Sequence, residues 1–229
     1  MKDWVLTADR FLSKEQLGKL MLKAEELRTV GVAKRRKQPV RDWLVIRLAI
    51  LSGLRAGEIS NLRVADLYVG YGRAEILVQR GKGGKKRVVR IGKELKADPR
   101  WFVRWKNEQG ELSPESFVLR SQRTESLSPN GLYRRWKKYC PLHRLHDARH
   151  TSATLLYEAT RDLRLVQKQL GHSRPSVTAI YADVCDETMR TGLDAMDKLV
   201  KSAMRPPRNP AVPPIPTVTA MAPTALGSN

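Results

Sequence analysis

Cysteine is almost absent from this 229-residue sequence. Only Cys140 and Cys185 occur, which form neither a disulfide framework nor a spaced metal site. Long apolar runs are missing too: the longest, WLVIRLAILSG, is too short to span a bilayer and carries Arg47 in its middle. The opening residues, MKDWVLTADRF, lack the apolar centre and small-residue cleavage site of a secretory signal. These absences predict a soluble, reduced, cytoplasmic chain with no membrane role. Acidic residues are the last shortage. Asp and Glu total 23 against 43 Lys and Arg, a formal net charge of +20, which departs from the balance of an ordinary globular enzyme and fits a polyanionic partner.

What is present suffices for a core. Hydrophobic residues make up 41% of the chain, enough for one large domain, alone or with a small appendage. Residues 13–29 open with Ser13 and Gln16 in capping-box spacing, followed by Leu17, Leu20, Met21 and Leu27, which predicts an amphipathic helix. A basic link, KRRKQP, leads to a second helix, VRDWLVIRLAILS, which Gly53 closes in a left-handed conformation. AEILVQR and KRVVRI are β-rich and joined by GKGG, a hairpin signal, and SFVL near residue 117 reads as a third strand. Ser128-Pro129 suits a helix start ahead of LYRRWKKY. Two helices broken near Thr160 fill Leu145 to Leu170, and Asp186 caps a last helix with Met189, Leu193, Met196 and Leu199 on one stripe. From Arg205 the chain is rich in proline and nearly uncharged after Arg208, so residues 205–229 read as a disordered tail.

Four short stretches carry chemistry: GLRAGEI with Arg55, RGKGGKKR with Lys82, LHDARHT with His146 and Arg149, and GHSRPSVTAIYADV with His172 and Tyr181. Each is weak alone. In this order and with these local spacings they resemble the catalytic domain of the tyrosine recombinase, or phage integrase, family, from about Leu12 to about Leu199. The resemblance implies an α+β, mostly helical catalytic domain over residues 1–204, with a small three-stranded antiparallel sheet. It also implies site-specific cleavage and rejoining of double-stranded DNA through a 3′-phosphotyrosyl intermediate, with no cofactor, metal or ATP.

Such chemistry has definite needs. The scissile phosphodiester passes through five-coordinate phosphorus with added negative charge on its equatorial oxygens, so preorganised cations are the largest available stabilisation. Arginine suits, because its planar fork gives two hydrogen bonds to phosphate oxygens and stays charged. The resemblance assigns that role to Arg55 and Arg149. It makes Tyr181 the nucleophile, His146 the proton acceptor that later returns the proton, and His172 a hydrogen-bond donor to the phosphate. Lys82 is favoured as the general acid for the departing 5′ oxygen, with Lys85 and Lys86 close by, and Glu58 matches an acidic position that orients the cations. Relatives carry a helical core-binding domain ahead of the catalytic one, and only about eleven residues precede the first helix here. A fragment, a minimal enzyme, and an enzyme with an accessory partner are all consistent with that. On DNA the chain is expected to form a homo-tetramer, with its last helix exchanged between protomers, and to be nucleoid-associated.

Other readings explain less. GKGGKK lacks the four residues that a phosphate loop needs between its first glycine and Gly-Lys-Ser/Thr. His146 and His150 stand four apart, as zinc ligands on a helix would, but the intervening DAR lacks the metalloprotease glutamate. RRWKKY, with Arg134, Arg135 and Lys137, is open to two readings: contact with DNA, or a solvated face with Trp136 packed inward. A non-catalytic DNA-binding protein explains the charge but not the four catalytic residue types, and a type IB topoisomerase shares the phosphotyrosyl chemistry without synapsis.

Overall fold

The computed structural model describes residues 10–81, 84–108, 110, 113–121, 125–184, 193 and 196–200. It divides into two compact units, Met1–Glu187 and Thr188–Asn229. In the second, residue 193 and residues 196–200 are helical, with Leu193, Met196, Leu199 and Val200 exposed. Asp186, Met189 and the whole proline-rich tail lie outside the described residues.

In the first unit everything is arranged about one buried helix. α1 (Lys14–Ala33) starts at Ser13 with a complete capping box, in which Gln16 N–H donates to Ser13 Oγ and Ser13 N–H to Gln16 Oε1. α2 (Lys37–Ser52) begins only three residues later, so the basic link shrinks to residues 34–36 and Pro39 falls in the first turn, where it removes no helical hydrogen bond. α2 is apolar almost all round, the pattern of a helix enclosed by neighbours. Val40, Trp43, Leu44, Val45, Ile46 and Leu48 are essentially inaccessible, with α1 and three later helices, which begin at Lys93, Pro129 and Leu145, packed around them. Arg47 is tolerated there because its Nε bonds Asp98 at 2.6 Å, with Glu25 at 3.5 Å.

α3 (Ala56–Ser60) follows the Gly53 turn, and then comes a small antiparallel sheet ordered β1 (Leu67–Tyr68), β2 (Glu75–Val78), β3 (Arg87–Arg90). Ile76 pairs with Val89 and Val78 with Arg87, which turns the alternate residues Ile76, Val78 and Val89 into the core. The sheet has the expected three strands, but the third is not SFVL. Phe117 makes only an isolated bridge to Arg63, with Arg63 stacked over its ring at 4.5 Å, and Leu67–Tyr68 takes the edge instead. Val118 and Leu119 are fully buried, and the run pairs with residues 62–64, through Val64 N–H to the Ser116 carbonyl and Val118 N–H to the Leu62 carbonyl, outside the sheet.

α4 (Lys93–Asn107) lies against α2. α5 (Pro129–Tyr139) starts at Ser128, whose Oγ accepts from Gly131 N–H, and buries Trp136 with its Nε1 donating to the His143 carbonyl. α6 (Leu145–Thr160), α7 (Leu163–Leu170) and α8 (Ser176–Val184) complete the unit, and α6 and α7 separate near Thr160 as their sequence predicts. Ala153, Val166, Leu170 and Tyr181 form a satellite core beneath these last helices. Among the described residues no helix is long and apolar enough to cross a membrane.

Candidate active site

Two helices end at the same place, and both are closed by glycine. Gly53 caps α2 at φ 63° and Gly171 caps α7 at φ 68°, conformations in which a Cβ is strained. The last carbonyls of a helix carry partial negative charge and lack helical partners. Arg149 fills that gap between the two. Its Nη1 donates to the Gly53 carbonyl and its Nη2 to the Leu170 carbonyl, each at 2.6 Å. The guanidinium is thereby fixed while donors remain for a ligand. Burial pushes its pKa down to about 9, with Arg55 adding like-charge repulsion, which leaves it charged at neutral pH.

α6 presents the rest of its motif at helical spacing. Asp147 accepts from Arg144 N–H at 2.6 Å and fixes the helix start, so His146, Arg149 and His150 share one face. The His146 and His150 rings meet edge to face at 4.7 Å. Opposite, Arg55 precedes α3, and Glu58 reaches back to it: Glu58 Oε2 accepts from Arg55 N–H at 2.8 Å and Oε1 from Arg55 Nη1 at 2.9 Å. The same carboxylate accepts two bonds from Arg87 on β3, at 2.6 and 2.8 Å. Burial alone would raise the Glu58 pKa, but the hydrogen bonds from Arg87 and the Arg55 backbone outweigh it and hold it at about 2.

Arg55, Arg87, Arg149, His146 and His172 line one cavity of about 640 Å³. Lys85 and Lys86 reach it from the hairpin turn, whereas Lys82 lies outside the described residues. His172 Nδ1 pairs with Thr178 Oγ1 at 3.0 Å, which orients the ring. Its pKa falls to about 4 through burial and then through Arg149, so it faces the cavity as a neutral imidazole. His146 is likewise held below the usual imidazole range by partial burial and Arg149, although its side chain keeps solvent contact. The guanidiniums of Arg55 and Arg149 and the imidazoles of His146 and His172, around a space of this size, can hold a tetrahedral oxyanion and stabilise further charge that develops on it.

Tyr181 does not line that cavity. It is 1% exposed within the satellite core, its ring stacked beside His172 at 6.4 Å, and its hydroxyl pairs with His150 Nδ1 at 3.0 Å, not with His146. Burial raises its pKa to about 12 against the lowering effect of Arg149 and Arg55. The single-phosphate geometry expected for His172 and Tyr181 is therefore half present: His172 faces the pocket and the phenol stands behind it. His150, bonded to Tyr181, and Arg87, which lines the cavity, are residues of the site to which motif reading gave no role in it. His150 was visible only through its i, i+4 relation to His146, and Arg87 only as one more cation in a basic strand.

The predicted DNA-contact residues divide. Lys85 and Lys86 border the cavity, and Arg134 is exposed. Arg135 is committed inward to Asp42, which also accepts from the Tyr139 hydroxyl at 2.8 Å. Lys137, although exposed, bonds the Pro141 carbonyl.

A mostly helical unit with a three-stranded sheet and a cationic pocket between helix ends is the fold of tyrosine recombinase catalytic domains. The crystal structure of XerA recombinase superimposes with a TM-score of 0.66 at 21% identity, covering 84% of this chain and 66% of that one. XerH recombinase bound to its difH substrate gives 0.61 at 23% identity over 76% of this chain and 50% of that one. The model of the phage integrase family matches residues 10–188, and the chain belongs to that family. Tyrosine recombinase XerA of Pyrococcus horikoshii is 32% identical over 195 residues, 83% of this chain. The chain spans 65% of that relative's length.

Proposed function

We propose that this chain supplies the catalytic domain of a site-specific DNA recombinase, over residues 1–204. Tyr181 attacks the scissile phosphodiester, the tyrosine oxygen replaces the 5′ oxygen on phosphorus, and a 3′-phosphotyrosyl bond forms. Arg55 and Arg149 hold the phosphate and its developing charge, His172 donates a hydrogen bond to it, and His146 accepts and later returns the tyrosine proton. The departing 5′ oxygen takes its proton from the basic turn, with Lys82 the proposed donor. Attack by a 5′ hydroxyl on the phosphotyrosyl bond reverses the step, so neither ATP nor metal enters the balance. The partner is double-stranded DNA, on which the chain assembles as a tetramer. The Tn1549 transposon integrase, a structural neighbour in complex with circular intermediate DNA, supports the DNA partner.

The observation that carries the proposal is the convergence of Arg55, Arg149, His146 and His172 on one cavity from α2, α6 and α7. Tyr181 does not line that cavity, although Val177 on the same helix α8 does, so attack requires the phenol to move into it. Nicked duplexes selected from a randomised library test the idea: a protein–DNA adduct on a denaturing gel is expected, and its absence on every duplex would refute the enzyme. An adduct without strand exchange would point to topoisomerase-like relaxation instead.

A further inference from the structure

Glu58 is held by two arginines, and the second of them is in contact with three separate walls of the cavity. Arg87 gives both terminal nitrogens to the carboxylate in a fork, at 2.6 and 2.8 Å. Its stem runs beneath Gly171, where an added Cβ would stand 2.6 Å from Arg87 Cδ and 2.9 Å from Nε. Its Nη1 lies against Gly81 at the base of the hairpin turn, where an added Cβ would stand 3.3 Å away. Gly81 N–H in turn donates to the Lys85 carbonyl at 2.9 Å and closes that turn. The side chain is 14% exposed, and among the described residues its Nε is buried without a hydrogen-bond partner. A buried guanidinium that leaves one donor unsatisfied to keep this path is held by the geometry of the other two.

We infer that Arg87 is a positioning residue for the phosphate pocket, acting through Glu58 on Arg55. Without the Arg87 fork, the Glu58 carboxylate keeps only its bonds to Arg55 N–H and Nη1, and nothing fixes its plane from the sheet side. Arg55 then loses the brace that aims its fork. Lysine cannot replace Arg87, because an ammonium is a point donor that engages one oxygen at a time. Gly171, directly before His172, leaves room for Arg87, whereas at Gly81, directly before Lys82, an added Cβ would meet the Lys85 carbonyl first, at 2.9 Å, and Arg87 second. One side chain thus sets the spacing between Arg55, the basic turn and the segment that carries His172.

The inference rests on the strand-cleavage reading, and the experiment separates the two. On a nicked duplex chosen for adduct formation by the wild type, R87K is expected to slow adduct formation at saturating DNA by roughly 10- to 100-fold, the scale of a misplaced catalytic group. Its DNA affinity is expected to stay within about threefold, since its charge is kept. Because Arg87 acts through Glu58, the R87K/E58Q double variant is expected to be no slower than the slower single variant. Multiplying losses, a wild-type rate for R87K, or a defect confined to affinity would each overturn the role. If R87K unfolds, E58Q gives the reading alone: a slowed step with affinity unchanged is expected, and a wild-type rate overturns it. Carbon-detected NMR of the Glu58 carboxyl needs no activity. In R87K its titration is expected to move up by about one pH unit or more, as a charge-assisted fork is lost; an unchanged titration overturns the inference even if no duplex is ever cleaved.

Discussion

Tyr181, the proposed nucleophile, is held in place by ordinary forces. Its ring is packed under α6, α7 and α8, its hydroxyl is bonded to His150, and burial holds the phenol protonated. Tyr181→Phe keeps the ring and loses one hydrogen bond, so unfolding in urea is expected to show a loss of about 1 kcal/mol. The same variant is expected to bind DNA as the wild type does and to form no covalent adduct, read by gel shift and denaturing gel. His150→Ala does the reverse, because it leaves the hydroxyl buried without that partner and opens a gap beside it. A destabilisation of about 1–3 kcal/mol is expected from the unsatisfied hydroxyl, measurable by the same urea series. The family resemblance singled out Arg55, Glu58, His146, Arg149 and His172, and four of these line the cavity, each held by a local turn or helix phase. It could not pair Tyr181 with His150, since that bond joins residues 31 apart through the packing of α8 on α6.

Among the elements, the ends matter more than the middles. α2 and α7 stop at left-handed glycines, and the carbonyls freed there are what Arg149 binds. Gly53→Ala forces a side chain into that conformation, at a cost of about 1–2 kcal/mol, and sets its Cβ 3.0 Å from both Leu170 Cδ2 and Ser152 Oγ. A lower melting temperature is expected together with slower adduct formation, because the Gly53 carbonyl that anchors Arg149 moves with the turn. A melting curve identical to wild type would contradict this account of the turn. The Gly53 cap was legible in the sequence, as were α1, the α6–α7 break and the β2–β3 hairpin, since each has a start or stop residue of its own. The edge strand was not: SFVL has better β-branched and aromatic content than Leu67–Tyr68, but pairing is decided by which backbone reaches β2, and no local composition encodes that.

For the whole molecule, charge sets two dependences. With a net charge of +20, DNA binding is expected to weaken steeply with salt, log K falling by about 0.9 per phosphate contact for each tenfold rise in salt. Lys85→Ala, at the rim of the cavity, should reduce that slope by about one contact. Acid lowers stability in the same direction as the growing self-repulsion of a basic chain. His150 titrates near 3 in the folded chain through burial and the nearby His146, and His172 near 4, against 6.5 for free imidazole. Between those limits the unfolded chain binds more protons, so stability is full above about pH 6.5 and declines as pH falls towards 4. Glu58 extends the loss. Its carboxyl is ionised when folded down to about 2 and takes a proton near 4.5 when unfolded, so its contribution, on the order of 3 kcal/mol, disappears across that lower interval. Melting temperature is therefore expected to fall in two successive stages on acidification. His172→Gln should flatten part of the upper stage and Glu58→Gln the lower one. A wild-type melting temperature that stays level from pH 7 to pH 4 would mean that these imidazoles are not held neutral by the fold, and that the cavity is far more hydrated than its packing indicates.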